Sequence, residues 1–400
     1  MFLTREEEAV LNGERGLVKQ KAMEILVALG EIYDAEKLIP VSSTQVSGVS
    51  YKTLGEAGLD WVESLAGEKV CVKTTLNPAG MDLELWQKMG VPHGFAEKQV
   101  RVIDAFGKLG IPPLCTCTPY LIGNSPRLGE HIAWSESSAV CYANAVLGAR
   151  TNREGGPSAL ASALVGKTAC YGCHIRENRE ASLSVKVSTP LSEESDFSAL
   201  GYWVGRAVEK GVPYFQGVEE AGNDELKALG AALATSSGIA LYHVENITPE
   251  AMLTLKHPPE EALQFGEAEL RDSYTRLTTV KPRQVDLVCF GCPHASIDEI
   301  KRISEFLNGK VVRHGTRLWV FTSIGVRKVA ERCGYLERIK RAGGEVYADT
   351  CMVVAPLEQI GFNTVAVNSA KAAAYMPTTS KVEVFFGTLR ECIDFATGNH

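Results

Sequence analysis

The sequence predicts an α/β protein in which parallel or mixed sheets carry helices on both faces and subdomains surround a binding cleft. From about residue 190, short apolar runs alternate with amphipathic stretches, which is the pattern of parallel strands joined by helices. The chain has 400 residues, of which 45% are hydrophobic and 22% charged. This composition is typical of a soluble globular protein, and the length suggests two or three domains or one large α/β unit with subdomains.

One predicted strand end is chemically distinctive. Residues 285–290 form a short apolar run typical of a buried parallel strand, and the Gly-Cys-Pro-His that follows ends it because Pro293 has no N–H to donate. Ser296, with Glu299 three residues later, then forms a capping box that predicts a helix. Cys292 and His294 are therefore expected at the carboxyl edge of a sheet, where open α/β folds bind ligands. The alternative is a small apolar cysteine packed in a buried strand, which suits Cys289 better.

The N-terminal part is predicted to be mainly helical. A helix over 4–29 opens with a capping box formed by Thr4 and Glu7, and Gly30 is its expected end. Gly13 and Gly16 are candidate breaks within it. The pattern also predicts helices over 54–65, 81–89, 95–109 and 136–147, a strand over 69–75 and an extended segment over 111–120.

A segment rich in hydroxyl groups follows the first helix. Residues 38–52 carry six hydroxyl side chains, one amide and a glycine after a short apolar start. A loop of this composition can surround a phosphate or carboxylate with O–H and N–H donors. Its candidate substrate-binding residues are Gln45, Ser47, Gly48 and Ser50, and the alternative is a polar surface loop.

Three later segments carry further candidates for binding an anionic substrate. In the helix predicted over 136–147 these are Glu136, Ser137, Ser138 and Asn144. Arg150 and Arg153 precede a double glycine and form a candidate anion clamp, with an exposed salt-bridged turn as the alternative. Lys371 lies at a helix start, where backbone N–H groups favour anions.

The C-terminal half shows the clearest alternation. Helices are predicted over 197–209, 224–236, 267–277, 296–307, 325–333 and 336–341, and strands over 212–216, 239–243, 285–290, 317–322, 345–348 and 363–367. Cys351 comes just after one of these strands. Cysteines thus follow predicted extended segments at three separate places in the chain.

Charge and hydropathy exclude several classes of protein. The net charge is −7 with acidic and basic residues interspersed, which does not favour a nucleic-acid partner. There is no run of 18 apolar residues that predicts a membrane span, and the acidic start is unlike a signal peptide. We therefore expect a cytoplasmic location. In that reducing compartment, eleven cysteines indicate metal-binding or catalytic thiols among structural ones.

Three well-separated cysteines suit an iron–sulfur cluster better than a structural zinc ion. Three thiolates leave one iron of a cluster open, whereas structural zinc favours four ligands in local pairs. Cys289 and Cys292 form one C-x-x-C motif, and Cys170 and Cys173 form a second. The stretch of chain between the two motifs is far longer than the spacing in zinc fingers.

Several motifs together resemble the aconitase X family, a branch of the aconitase superfamily. They are Gln45-Val-Ser-Gly-Val-Ser-Tyr51, Cys117-Thr-Pro-Tyr120, Glu136-Ser-Ser-Ala-Val, Ala143 through Arg153, Gly291-Cys-Pro-His-Ala-Ser296, Asp349-Thr-Cys351 and Asn368-Ser-Ala-Lys371. The resemblance spans nearly the whole chain. It implies an iron–sulfur hydro-lyase with Cys117, Cys292 and Cys351 as cluster ligands. The expected cofactor is a [4Fe–4S] cluster with one open iron, although three thiolates also suit a three-iron form.

The resemblance implies dehydration of a hydroxy acid. One branch of the family acts on cis-3-hydroxyproline, and the other, archaeal branch acts on mevalonate 5-phosphate in isoprenoid biosynthesis. We expect the second: dehydration of (R)-mevalonate 5-phosphate to trans-anhydromevalonate 5-phosphate. A cis-3-hydroxy-L-proline dehydratase and a non-catalytic, metal-stabilised scaffold subunit are the alternatives. His294 is a candidate proton donor to the departing hydroxide, or a hydrogen-bonding partner beside the cluster.

The resemblance also implies a partner subunit. The general base of the superfamily is a serine on a swivelling domain. Because this chain ends at residue 400, we expect that domain on a separate small subunit of a heterodimer or larger assembly. We divide the chain into a region 1–190, with the serine-rich loop and the first cysteine, and a region 191–400, with the other two cysteines.

Overall fold

Three parallel sheets, each formed by a different part of the chain, organise the computed structural model, which describes residues 1–252, 262–280 and 283–398. The strands are β1 Leu38–Pro40, β2 Ser43–Val46, β3 Lys73–Leu76, β4 Ala133–Trp134, β5 Lys167–Ala169, β6 Leu183–Val187, β7 Pro213–Gln216, β8 His243–Val244, β9 Ala262–Phe265, β10 Leu287–Phe290, β11 Arg317–Thr322, β12 Glu345–Ala348, β13 Thr364–Val367 and β14 Glu383–Phe386. The predicted α/β class is confirmed.

Helices cover these sheets. They are α1 Arg5–Leu11, α2 Leu17–Ile32, α3 Tyr51–Ser64, α4 Trp86–Met89, α5 His93–Lys108, α6 Ser137–Ala145, α7 Gly156–Val165, α8 Glu194–Ala207, α9 Asn223–Ser236, α10 Glu267–Leu277, α11 Ile297–Phe306, α12 Ile324–Arg332, α13 Tyr335–Arg341, α14 Leu357–Ile360, α15 Ala370–Thr379 and α16 Leu389–Thr397. Among the described residues, none of these helices combines the length and hydropathy that a membrane span requires.

The five-stranded sheet places the end of β10 at a ligand-binding position. Its order is β12-β11-β10-β13-β14, and every neighbouring pair is parallel. The chain proceeds from β10 outward to β12 on one side and then returns to form β13 and β14 on the other. The carboxyl end of β10 is therefore the topological switch point, where a crevice opens between connections that leave in opposite directions.

Both faces of this sheet are buried. Leu287 and Cys289 of β10 belong to one apolar cluster, and Val288 and Phe290 belong to another. Side chains alternate between the faces of a strand, so a strand covered on both sides consists of apolar residues throughout. Cys289 is fully buried in this packing, which separates it from Cys292 beyond the strand end.

The other parallel sheets are smaller. β3-β2-β4 form one sheet and β8-β7-β6-β9 another, while β1 pairs with β5 in an antiparallel ribbon. β6 lies before residue 190 but pairs with β7 and β9 beyond it. The division of the chain at residue 190 stays a prediction.

Several predicted elements need correction. The helix expected over 4–29 is two helices, α1 and α2, because Gly13 and Gly16 adopt positive φ between them, and Gly30 lies inside α2 rather than at its end. The predicted capping box of Thr4 and Glu7 is confirmed. The helix expected over 81–89 is reduced to α4.

Part of the serine-rich loop is a strand. Ser43–Val46 forms β2, the central strand of its sheet, with β3 and β4 on either side. The apolar pattern that predicts buried strands is absent here, because the buried side chains of this strand are polar and form hydrogen bonds with one another. The Thr44 and Thr74 hydroxyls, for example, are 2.8 Å apart. The other elements that were not predicted are β1, β4, β5, β6, β9, β14, α7, α14 and α16.

Candidate active site

Three cysteine-bearing turns converge on one cavity. Cys292 follows β10, Cys351 follows β12, and Cys117 follows an extended segment that bridges to the end of β3 through Cys115. All three thiols line a cavity of about 230 Å³. Two larger cavities, of about 520 Å³ each, contain no cysteine among their lining residues.

Protein donors face the sulfur atoms of these cysteines. The backbone N–H of His294 donates to Cys117 Sγ at 3.1 Å. Backbone hydrogen bonds from Val353 and Val354 act to lower the pKa of Cys351, and the Ser369 side chain acts to lower that of Cys292, both against the effect of burial. Such hydrogen bonds stabilise anionic sulfur and tune cluster-bound thiolates.

Burial keeps these thiols neutral when no metal is bound. It raises the pKa of Cys292 to about 12 and that of Cys117 well above its ordinary value, and it also raises the pKa of Cys351. Buried thiols become thiolates when a bound metal supplies positive charge. Among the described residues, no three His, Cys, Asp or Glu side chains are grouped tightly enough to hold a single metal ion. A cluster instead spreads its thiolates over several iron atoms, and the three cysteines around the cavity fit that requirement.

His294 ties the cysteine turns together. Its Nδ1 lies 2.9 Å from Thr116 Oγ1, and its Nε2 lies 2.8 Å from the carbonyl oxygen of Thr350. A carbonyl only accepts, so Nε2 carries the proton and Nδ1 accepts from Thr116. Burial lowers the pKa of His294 to about 4, and its side chain is not among those lining the cavity.

A buried ion pair forms part of the cavity wall. Lys371 donates from the first turn of α15 to Glu136 Oε1, and this oxygen also accepts from Ser138 at 3.0 Å. Glu136 Oε2 accepts from Asn77 at 2.7 Å. Burial alone raises the pKa of Glu136, but Lys371 and these hydrogen bonds outweigh it and lower the pKa to about 2. Glu136 also raises the pKa of Lys371 against the effect of burial, so both groups are charged.

Four predicted substrate-binding residues besides this pair lie at or beside the cavity. Ser47, Ser137 and Arg153 line it. Ser138 does not line it but donates a hydrogen bond to Glu136, which does. Arg153 is exposed, and its Nη1 donates to the carbonyl oxygen of Ala234 at 3.2 Å.

The other predicted binding residues face elsewhere. Gln45 is buried, and its Nε2 donates to Asn77 Oδ1 and to the carbonyl oxygen of Thr116. Its Oε1 accepts from the backbone N–H of Glu136. Ser50 donates to the carbonyl oxygen of Val354 at 3.0 Å. Gly48 has a positive φ of 78° in the same loop. Gln45, Gly48 and Ser50 are not among the residues that line the cavity.

Asn144 and Arg150 also lie away from the cavity lining. Asn144 is buried and donates to the carbonyl oxygens of Thr151 and Ala240, at 2.8 and 2.9 Å. Arg150 Nη1 donates to the carbonyl oxygen of His174 at 3.3 Å. The predicted two-arginine clamp is therefore divided, with only Arg153 at the cavity.

Sequence reasoning missed several lining residues: Asn77, Pro78, Ser135, Val353, Val354 and Tyr375. The Asn-Pro pair at 77–78 follows β3, so the strand-end argument that found the cysteines also applies to it. Tyr375 follows Lys371 by four positions on α15, which places both on one helix face. For Ser135, Val353 and Val354, no local sequence pattern predicts a position at the cavity.

Comparisons with known proteins agree with this architecture. Family models of aconitase X match the chain in three consecutive parts: the first domain over residues 1–177, the second over 181–275 and the third over 285–398. A crystal structure titled Thermococcus kodakaraensis aconitase X (holo-form) superposes with a TM-score of 0.93 at 43% identity, covering 99% of this chain and 100% of that one.

Curated relatives include enzymes with two different names. The chain is 50% identical to the phosphomevalonate dehydratase large subunit of Methanocaldococcus jannaschii, over 98% of this chain and 99% of the relative. It is 34% identical to the cis-3-hydroxy-L-proline dehydratase of Pseudomonas aeruginosa, over 98% of this chain and 69% of the relative. The family models and these relatives match nearly the whole chain, and the protein belongs to the aconitase X family.

Proposed function

We propose that this chain is the large subunit of a phosphomevalonate dehydratase, a hydro-lyase that converts (R)-mevalonate 5-phosphate to trans-anhydromevalonate 5-phosphate in archaeal isoprenoid biosynthesis. The observation that carries the proposal is the convergence of Cys117, Cys292 and Cys351 on one cavity that also holds a buried Lys–Glu pair and a separate arginine. The names of relatives about 50% identical over nearly the full chain support the same function.

Cys117, Cys292 and Cys351 are the proposed ligands of an iron–sulfur cluster, taken here as [4Fe–4S]. When bound, such a cluster supplies a Lewis acid that polarises the hydroxyl group to be lost. The donors that face these sulfurs from His294, Ser369 and the 353–354 backbone stabilise their thiolate form. Eleven free cysteines also suit a reducing compartment such as the cytoplasm.

Lys371 is proposed to orient the substrate carboxylate beside the cysteines. It lies in the first turn of α15, where the helix N-terminus adds positive potential. Because the proton to be removed is alpha to a carboxylate, positive charge near that group stabilises the charge that develops during removal. Glu136 holds the ammonium group in place. Its carboxylate oxygens already accept from Lys371, Ser138 and Asn77, so Glu136 is not proposed as the base.

The general base is proposed to come from a small subunit that carries the swivelling domain. Relatives at 50% and 51% identity are named large subunits, which supports a partner chain. In this arrangement His294 acts by positioning the cysteine turns, because both ring nitrogens are engaged and its side chain does not line the cavity.

Anaerobic co-purification with the candidate small subunit tests the function. The complex should contain iron and sulfide and should dehydrate mevalonate 5-phosphate but not cis-3-hydroxy-L-proline. The opposite preference would assign the chain to the hydroxyproline branch. A complex that contains one zinc ion and dehydrates neither compound would support the scaffold alternative and overturn the proposal.

A further inference from the structure

A cavity of about 520 Å³ lies where the three family domains meet. The first domain contributes Leu114, the 120–122 turn and Tyr142 to its lining, the second contributes the start of α9, and the third contributes the starts of α11 and α12. We call it the junction cavity. It shares no lining residue with the cavity that the three cysteines line. Ligand sites of this size are common at domain interfaces.

Most residues that line the junction cavity are apolar. Two of them, Leu121 and Val329, are large hydrophobic side chains that remain 38% and 50% exposed. The aliphatic part of the lining consists mainly of Leu114, Leu121, Ile122, Ile324, Val326 and Val329. Covering apolar surface that is open to water is favourable, so this lining suits a ligand with a hydrocarbon part.

Two tyrosines add an aromatic wall. Tyr120 and Tyr142 are stacked, with ring centroids 3.9 Å apart and an interplanar angle of 11°. The Tyr120 hydroxyl is buried and has no hydrogen-bonding partner among the described residues. A buried hydroxyl normally has a partner from the protein, a water molecule or a ligand. An aromatic ring also attracts cations, because the face of the ring carries negative charge density.

The lining carries one charge that the protein does not compensate. Asp224 and Lys227 pair with each other at 3.1 Å. Lys227 also pairs with Glu299, and Asp224 accepts from Ser296 Oγ at 2.8 Å. Asp298, in the first turn of α11, is exposed and forms no ion pair with any residue that the structure describes. The free charge at the junction cavity is therefore negative.

Acidic side chains also offset the helix starts around the junction cavity. The first turn of α9 contains Asp224 and Glu225, and that of α11 contains Asp298 and Glu299. Helix N-termini favour anions, but these carboxylates already occupy the positive potential of the two helices. The site therefore favours a cationic ligand over an anionic one.

We propose that the junction cavity binds an apolar organic ammonium ion, with its hydrocarbon part against Leu121, Val329 and the tyrosine pair and its charge beside Asp298. The proposed dehydration does not use this cavity, so the proposal goes beyond the proposed function. Tyr120 follows Cys117 by three positions, and Ser296 follows Cys292 by four. Because Tyr120 and Ser296 both line the junction cavity, its occupant would contact two of the cysteine-bearing segments from outside the cysteine cavity.

Calorimetric titration of the cluster-loaded complex with its small subunit tests the proposal at neutral pH. Wild type should bind phenethylammonium more tightly than the neutral phenethyl alcohol, and phenylacetate least. Asp298→Asn should weaken the binding of phenethylammonium about 3- to 5-fold, as expected for an exposed ion pair, and leave that of phenethyl alcohol unchanged. Val329→Trp should abolish the binding of both compounds, because the larger side chain fills the cavity.

The matched controls are Asp104→Asn on α5 and Val311→Trp. Both positions are exposed and lie outside the lining of the junction cavity, so both variants should bind the compounds as wild type does. Iron content and melting temperature identify a variant that is merely misfolded. Equal affinity of wild type for phenethylammonium and phenylacetate would overturn the proposal, as would wild-type binding of phenethylammonium by correctly folded Asp298→Asn or Val329→Trp.

The same variants distinguish a small-molecule site from a contact with the small subunit. If Val329→Trp prevents assembly in gel filtration, and phenethylammonium binds the isolated full chain but not the complex, the partner chain occupies the cavity and the proposal is wrong. Binding that depends on Asp298 and persists in the complex supports the proposal, whichever substrate the complex dehydrates. Failure of the proposed function would therefore leave this result unchanged.

Discussion

The backbone N–H of His294 donates to Cys117 Sγ at 3.1 Å, although 177 positions separate the two residues in the sequence. The His294 ring extends the connection to Thr116, next to Cys117, and to Thr350, next to Cys351. A residue two positions after Cys292 thus joins the turns that carry the other two cysteines. The arrangement pre-organises three thiols from distant parts of the chain.

Replacing His294 with glutamine should lower stability and slow iron incorporation, although all three cysteines remain in place. The variant loses the buried ring hydrogen bonds to Thr116 and Thr350, and we expect the free energy of unfolding of the apoprotein to fall by about 1–3 kcal/mol. Iron incorporation during anaerobic reconstitution should also slow. Chemical denaturation and iron analysis measure both effects. His93→Gln, on the exposed start of α5, is the control, and equal behaviour of the two variants would argue against the positioning role.

The cysteine assignments predict a sharp pattern of cluster loss. Cys117→Ala, Cys292→Ala and Cys351→Ala should each lack the normal cluster, as measured by iron content and visible absorption. Cys289→Ala should keep it, at a cost of about 1 kcal/mol for the small void left in the core. A normal cluster in any of the first three variants would remove that residue from the ligand set.

Removing one partner of the buried pair should be costly. Glu136→Gln leaves the Lys371 ammonium buried without a counter-charge, and we expect the apoprotein to lose about 3–5 kcal/mol of stability. Combining it with Lys371→Met should restore part of that loss, because the double variant has no unpaired buried charge. Urea denaturation of the two single variants and the double variant measures the coupling. Strictly additive losses would show that the pair is not coupled.

His174, which does not line the cavity, predicts a pH dependence of stability. Its Nδ1 lies 3.0 Å from His131 Nδ1, and burial, with the nearby charges of His131, Arg179 and Arg150, lowers its pKa to about 3. An unfolded chain binds this proton below about pH 6.5, whereas the folded protein resists it. This contribution to stability is therefore fully present above pH 6.5 and is lost as the pH falls toward 3.

The expected size of this effect is about 1.4 kcal/mol per pH unit between pH 6 and 4 for the apoprotein. In His174→Gln, the slope of unfolding free energy against pH should decrease by about that amount, as measured by urea denaturation at several pH values. His314→Gln is the control because His314 lies outside this histidine pair. An unchanged slope in the His174 variant would show that His174 does not titrate between the two states in this range.

Local patterns predicted much of the fold. α10, β11 and β12 have the bounds that periodicity predicts, and the capping boxes at Thr4 and Ser296 open α1 and α11 as expected. Each depends on residues within a few positions of one another, so the sequence contains the whole cause. β2 escaped prediction because its stability comes from β3 and β4 on either side of it and not from an apolar pattern.

The sequence by itself determined that thiols lie just beyond strand ends, because a turn of Gly-Cys-Pro-His cannot remain in a strand. It also determined which helix starts are capped. Only the tertiary structure decided that Lys371 pairs with Glu136 across 235 positions, that Arg153 faces the cavity while Arg150 contacts His174, and that His294 joins two other turns. These relations depend on how separate sheets pack, and no local pattern encodes the distance between side chains so far apart in the chain.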